Sequence, residues 1–318
     1  MITASTVVHL PNASPFGEQI LSDTANQTKS RLQIMMAALF YGLITIAGQY
    51  FSDLGFSLFE ISMLILFVPL PLVPFLIASP KYRIRRERFG FYLIFGLIGA
   101  LLQVTQFGGI VLGVPVAMVA FLLYTQPIWT TVLGKVMLHE AITRQKIVAA
   151  VLALAGMMAL TAPAQSEMTA NITGLLSAIL AGLFLSLWII WGRKSGLKSE
   201  HFVTTTFGYT LSTSLVLLTA NPFLRCFTDS TFLRFEIARY ASVWPAVAGF
   251  AIFASLLPAI LAFSAMRRVD ASTAGILLLL EPVSAAILAY FCFGQELTAG
   301  VWFGGGCILL ANYVLLRP

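Results

Sequence analysis

VPVAMVAFLLYTQP at residues 114–127 and VDASTAGILLLLEP at residues 269–282 are two versions of one pattern: a small-residue start, an apolar run, then a polar residue followed by proline. The two prolines, Pro127 and Pro282, are 155 residues apart. Beyond each comes more apolar sequence, then His139-Glu140 or Gln295-Glu296, then Thr143 or Thr298 opening the next helix. The threonines regain the 155-residue spacing after a one-residue slip. A duplication of this kind is sequence evidence for two related halves.

The rest of the chain says what solvent those halves meet. Of its 318 residues 58% are hydrophobic and 10% charged, with a mean hydropathy of +0.90, against roughly one-quarter charged in soluble domains. Crossing about 30 Å of hydrocarbon takes about 20 apolar residues as a helix. Ten such stretches are read, at 31–51, 56–77, 89–109, 113–134, 144–162, 172–193, 201–220, 241–264, 271–293 and 298–316. The expected fold class is therefore all-α and integral to the membrane.

Charge orients the helices. Lys81, Arg83, Arg85, Arg86 and Arg88 form the densest basic cluster, and short basic loops stay on the cytoplasmic side. Alternating sides from that loop leaves only Arg225, Arg234 and Arg239 of the nineteen Lys and Arg on the other face. A missed helix would scramble that asymmetry. Both termini are accordingly expected in the cytoplasm, in a cell (inner) membrane. Five helices per copy is an odd number, so the second copy enters the bilayer upside down, which is the inverted-repeat plan of secondary transporters.

The expected domains are a flexible cytoplasmic tail (1–30), a first five-helix repeat (31–162), an outer linking loop (163–171) and a second repeat (172–317). No secretory signal is read at the start, since no Lys or Arg precedes Lys29. Cys226, Cys292 and Cys307 show neither a disulfide framework nor a metal spacing.

In these residues the chain resembles the EamA-type members of the drug/metabolite transporter superfamily. The carrying features are the small-residue run, the LLLLEP at 277–282, GQE at 294–296 with Thr298, and the triple glycine at 304–306 of the last helix. The resemblance implies a ten-helix fold with a central cavity, alternately open to each side, lined mainly by helices one, three, four, six, eight and nine. It also implies movement of small organic metabolites, often by export, with amino acids a frequent class. Having Gln126-Pro127 where the second copy has Glu281-Pro282, the chain departs from any symmetric two-carboxylate scheme.

Glu281 is the acid read at mid-depth, about ten residues into the ninth helix. An ionisable group there costs at least about 2.5 kcal/mol, so it faces the bundle interior or a water-filled cavity. Two readings stand: a counter-charge or proton carrier for substrate, or a neutral acid repairing the backbone opened by Pro282. Gln126 lies at the matching depth with Trp129 and Thr130 on its face, and either meets substrate or bonds another helix. Gln103 and Gln106 share a face of the third helix, and Tyr41, Thr45 and Gln49 a face of the first; interhelical hydrogen bonding competes with substrate binding for each. Trp188 is deep enough to wall a cavity, whereas Trp191 falls in the interfacial aromatic belt. Pro127, Pro258 and Pro282 are candidate hinges. Gly300 and Gly304 allow close packing within the chain or a homodimer.

No cofactor, metal or nucleic acid is expected: His139-Glu140 lacks a third ligand, and no phosphate-binding glycine loop is present. The expected partners are a small metabolite and the lipid bilayer. Two other classes remain, a membrane-embedded lipid-modifying enzyme and a non-transporting membrane subunit. The first needs a clustered catalytic set, which His9, His139 and His201 do not form.

Overall fold

A computed structural model describes residues 15–161, 171–226 and 231–317, with side chains from residue 25. In hydrocarbon each backbone N–H and C=O must be paired within its own segment, so apolar runs of this length become helices. Among the described residues ten helical segments are long and apolar enough to cross a bilayer: Ala25–Asp53, Leu58–Ala78, Pro80–Val111, Val116–Leu138, Arg144–Thr161, Ile172–Leu197, Phe202–Arg225, Trp244–Ala265, Ala271–Phe293 and Ala299–Leu316. They are referred to as spans 1 to 10. The first helix begins at Pro15, so residues 15–30, expected within a flexible tail, continue span 1; residues 1–14 lie outside the described part. The expected linking loop 163–171 does too, apart from Asn171, which caps span 6 through Thr173 N–H.

Side-chain contacts gather the basic segments on one face. Arg88 pairs with Glu200 at 3.1 Å, and Thr204 donates to the Tyr82 carbonyl. Arg193 donates to the Met266 carbonyl at 2.7 Å, Lys146 pairs with Asp270 at 2.8 Å, and Gln145 and Arg31 donate to backbone carbonyls at the end of span 10. Between Lys198 and span 7, His201 accepts Val203 N–H through Nδ1; burial, with Lys81 and Arg267 nearby, holds its pKa below the usual histidine value.

On the opposite face one buried acid organises the loop before span 8. Ser57 and Glu60 form a reciprocal capping box at the start of span 2. The Glu60 carboxylate, with no exposed surface, also accepts the Glu236 N–H at 3.1 Å and pairs with Arg239 at 2.8 Å. Tyr240 donates to the Glu60 carbonyl at 2.7 Å. Burial, reinforced by the Glu60 carboxylate, pushes its phenol above the usual tyrosine range, so it remains a donor.

The duplicated pattern marks duplicated breaks. Span 4 is two helices, Val116–Leu123 and Gln126–Leu138, and span 9 is Ala271–Leu278 and Leu280–Phe293. Pro127 and Pro282 each sit in the first turn after the break, where the missing N–H costs nothing. Span 8 widens to a π-helix at Phe250–Leu256 and restarts at Leu257 with Pro258 in its first turn. The structure also removes the one-residue slip. His139 and Gly294 both take left-handed conformations at the ends of spans 4 and 9, 155 residues apart, so Glu140 corresponds to Gln295, not Glu296.

Spans 5 and 10 meet backbone to backbone. A Cβ on Gly304 would collide with the Gly156 carbonyl and the Leu160 N–H, and one on Gly300 with the Ala159 carbonyl. The GxxxG pair is thus occupied within the chain. Gly304→Leu is expected to lower stability by about 1–3 kcal/mol, the usual range for overpacking, measured as the unfolding midpoint in detergent; an unchanged midpoint would show that the contact can relax.

Candidate functional site

The sequence places polar groups at mid-depth, and the two broken helices bring them together. Between the halves lies a cavity of about 230 Å³ that Tyr41, Thr45, Gln103, Gln106, Gln126, Trp188 and Glu281 all line. Trp129 does not line it. A helix advances about 100° per residue, and with Gln126 and Thr130 both buried against span 9, Trp129 is left half-buried on their flank. Gln49 is exposed and donates to Asp53 at 2.7 Å instead.

Gln126 is held by the protein. Its Nε2 donates to the Gly275 carbonyl at 2.6 Å and its Oε1 accepts from Thr130 at 2.6 Å. Gly275 has no room for a Cβ, which would lie 2.9 Å from that Oε1. The amide therefore ties the second half of span 4 to the first half of span 9 and presents only an edge to the cavity. Similarly, Gly182 of span 6 lets the Leu122 and Leu123 carbonyls at the span 4 break come close, since a Cβ there would lie about 3 Å from both.

Glu281 and Tyr124 sit at the two breaks and both line the cavity, the Tyr124 hydroxyl beside the Glu281 carboxyl. Around them the wall is aromatic. Trp188 meets Tyr41 edge-on at 6.3 Å, Tyr209 at 5.9 Å and Phe263 at 5.3 Å, and Phe95 lies against Tyr209 and Phe263. These rings form a floor. On the basic side of it Ala262, Ala274 and Leu277 are fully buried. On the other side Ile44 and Thr45 are exposed, so the cavity opens toward the face carrying Glu60 and Arg239.

Chemically, the site offers one carboxyl, several hydroxyls and amides, and π-faces in a largely apolar chamber. That combination suits a small amine: the carboxylate opposes its charge, and rings within about 6 Å of a cation attract it further. Spans 2 and 7 also contribute, through Ile61, Ser62, Tyr209 and Thr210, beyond the six helices that the resemblance implied. Tyr124 escaped the sequence reading although it stands two residues before Gln126, at the position matching Leu279 beside Glu281; the shared break was the signal that could have found it. Tyr209 was hidden in a threonine-rich helix whose hydroxyls bond their own backbone, as Thr210 does to Thr206.

The EamA-like transporter family model matches residues 28–162 and 172–317, one match per repeat. A curated "uncharacterized transporter" of Archaeoglobus fulgidus is 28% identical over 202 residues, covering 64% of this chain and 67% of that protein. Another from Clostridium kluyveri is 20% identical over 299 residues, covering 90% and 92%. A solved crystal structure superposes with a TM-score of 0.70 at 16% identity, covering 90% of this chain and 96% of the other, which supports the fold alone.

Proposed function

Because the chain belongs to the EamA-like transporter family, as its two matched repeats show, we propose that it exports small amines, amino acids foremost, by alternating access around the Glu281 cavity. The observation that carries this reading is the single carboxyl at mid-depth, facing a tyrosine hydroxyl within an aromatic chamber closed on the basic side. Glu281 opposes the substrate's ammonium group. Tyr41, Tyr209 and Trp188 enclose its carbon skeleton, and Gln103 and Gln106 are the neutral partners for a carboxylate.

The basic face is the cytoplasmic one, by the distribution of Lys and Arg in short loops, which gives a multi-pass protein of the cell membrane with both termini inside. The cavity as seen is then outward-open. Pro127, Pro258 and Pro282, each opening a restarted helix, are the hinges at which half-helices reorient. With no nucleotide-binding loop read in the sequence, gradients of substrate or protons drive the cycle.

Purified protein in proteoliposomes, loaded with labelled amino acids and biogenic amines, tests the reading. Efflux of at least one amine above empty liposomes is expected, with unlabelled competitors carrying an amine reducing it. Efflux of neutral or anionic metabolites alone would overturn the amine assignment.

A further inference from the structure

The closed side of the cavity is sealed by a device that the duplicated sequence carries in one copy only. At the end of span 4, Glu140 reaches across to the start of span 9. Its Oε1 accepts the Ala271 N–H at 2.7 Å, and its Oε2 accepts the Ser272 N–H at 3.2 Å and the Ser272 hydroxyl at 3.1 Å. A carboxylate on the first N–H groups of a helix is held by charge-assisted bonds and by the helix dipole. Around it stand the charges of both halves: Arg193 lies 3.9 Å from Glu140 and 4.0 Å from Asp270, and Lys146 pairs with Asp270 and with the Ala141 carbonyl. Repeat one, through Glu140 and Lys146, is thereby fastened to repeat two, through Arg193, Asp270 and Ser272.

By the 155-residue correspondence the same device on the opposite face would join the end of span 9 to the start of span 4. There Gln295 replaces Glu140, Pro115 replaces Asp270, Val301 replaces Lys146, and Val116 and Ala117 replace Ala271 and Ser272. Gln295 is exposed and Val116 is 64% exposed. The latch is engaged where the cavity is closed and missing where it is open.

We infer that Glu140 is the latch of the basic-face gate, and that its replacement by Gln295 in the second copy makes the gating one-sided, so that the unloaded protein rests open to the other face. This inference rests on the alternating-access reading above. The latch must open for substrate to enter from the basic face. Glu140→Gln keeps the size of the side chain but leaves an amide nitrogen where a carboxylate oxygen accepted Ser272, and so frees the gate. The converse variant, Gln295→Glu, supplies the open face with an acceptor for Val116 and Ala117.

The test uses the full chain with its three cysteines changed to serine and one reporter at a time. Thr45→Cys reports the open face and Thr273→Cys, buried just past the latch, the closed one. Membrane-impermeant maleimide is applied from each side of oriented vesicles. With Glu140 intact, Thr45→Cys reacts and Thr273→Cys does not. With Glu140→Gln, labelling of Thr273→Cys from the basic side is expected to rise about tenfold, the shift in population set by losing one charge-assisted bond, while Thr45→Cys slows. Gln295→Glu is expected to slow Thr45→Cys. Asp270→Asn, which removes the charge paired with Lys146 and Arg193, gives a milder version of the first shift and serves if Glu140→Gln is not monodisperse. Unchanged rates at both reporters in the Glu140→Gln and Asp270→Asn proteins would overturn the latch. Shifted rates in a protein that moves no amine would uphold the latch and instead refute the amine assignment, so the two failures are distinguishable.

Discussion

Glu281→Gln is expected to reduce amine efflux from proteoliposomes to near background while leaving expression, insertion and monodispersity unchanged. Gln fills the same space beside Tyr124, so the chamber keeps its shape, and what is lost is the charge opposite the substrate ammonium. Removing one partner from a desolvated charge pair costs about 2–5 kcal/mol, which corresponds to roughly thirty-fold to four-thousand-fold in affinity or flux. The loss should fall on cationic substrates; a neutral analogue that fits the chamber should be little affected. Efflux by Glu281→Gln within about threefold of the original rate, a difference near 0.7 kcal/mol, would remove the carboxyl from the mechanism and leave it as the acid that mends the span 9 break.

Glu60→Ala is expected to give the largest loss of stability of any single substitution on the open face. The carboxylate accepts the Ser57 and Glu236 N–H groups and pairs with Arg239. Truncation leaves the guanidinium and two N–H groups without their acceptor, and deleting one partner of a buried pair costs about 3–5 kcal/mol. Arg239 also donates to the Leu54 and Gly55 carbonyls and lies over the Phe56 ring, so the loop around 231–243 should loosen first. Thermal unfolding in detergent measures the effect. The Glu60→Ala, Arg239→Ala double variant should lose clearly less than the sum of the singles, since both remove one interaction. Additive losses would mean the two residues act apart.

The ten spans and the inverted halves were legible because hydrocarbon thickness and backbone pairing leave the chain little choice, and because the copies around Pro127 and Pro282 retained a common spacing. Glu281 was legible for a related reason: an acid at that depth has few places to be. The side chains around it were harder to read. Lipid is as apolar as the packed interior, so a helix in this fold carries no clear inward stripe, and Gln103 lining the cavity looks in sequence like Gln126 bonded to Gly275. Trp129 was misplaced by the same ambiguity. The Glu60 cluster went unread although Ser57 followed by Glu60 is a capping signature; its partners, some 175 residues on, had no local mark. In the sequence Glu140 reads as a repeat marker and a rejected metal-ligand candidate, because what it grips is the backbone of the other repeat.

The glycine contact between spans 5 and 10 sets what must stay still while the rest moves. These are the last helix of each half, and at Gly156, Gly300 and Gly304 the backbone of one lies directly against the other. A seam that close tolerates little sliding, so the two halves share a fixed axle along one edge of the bundle. In the proposed cycle the broken helices would swing about it like paired doors on one post, and cross-links placed along that seam are expected to leave proteoliposome efflux intact where cross-links across the chamber stop it.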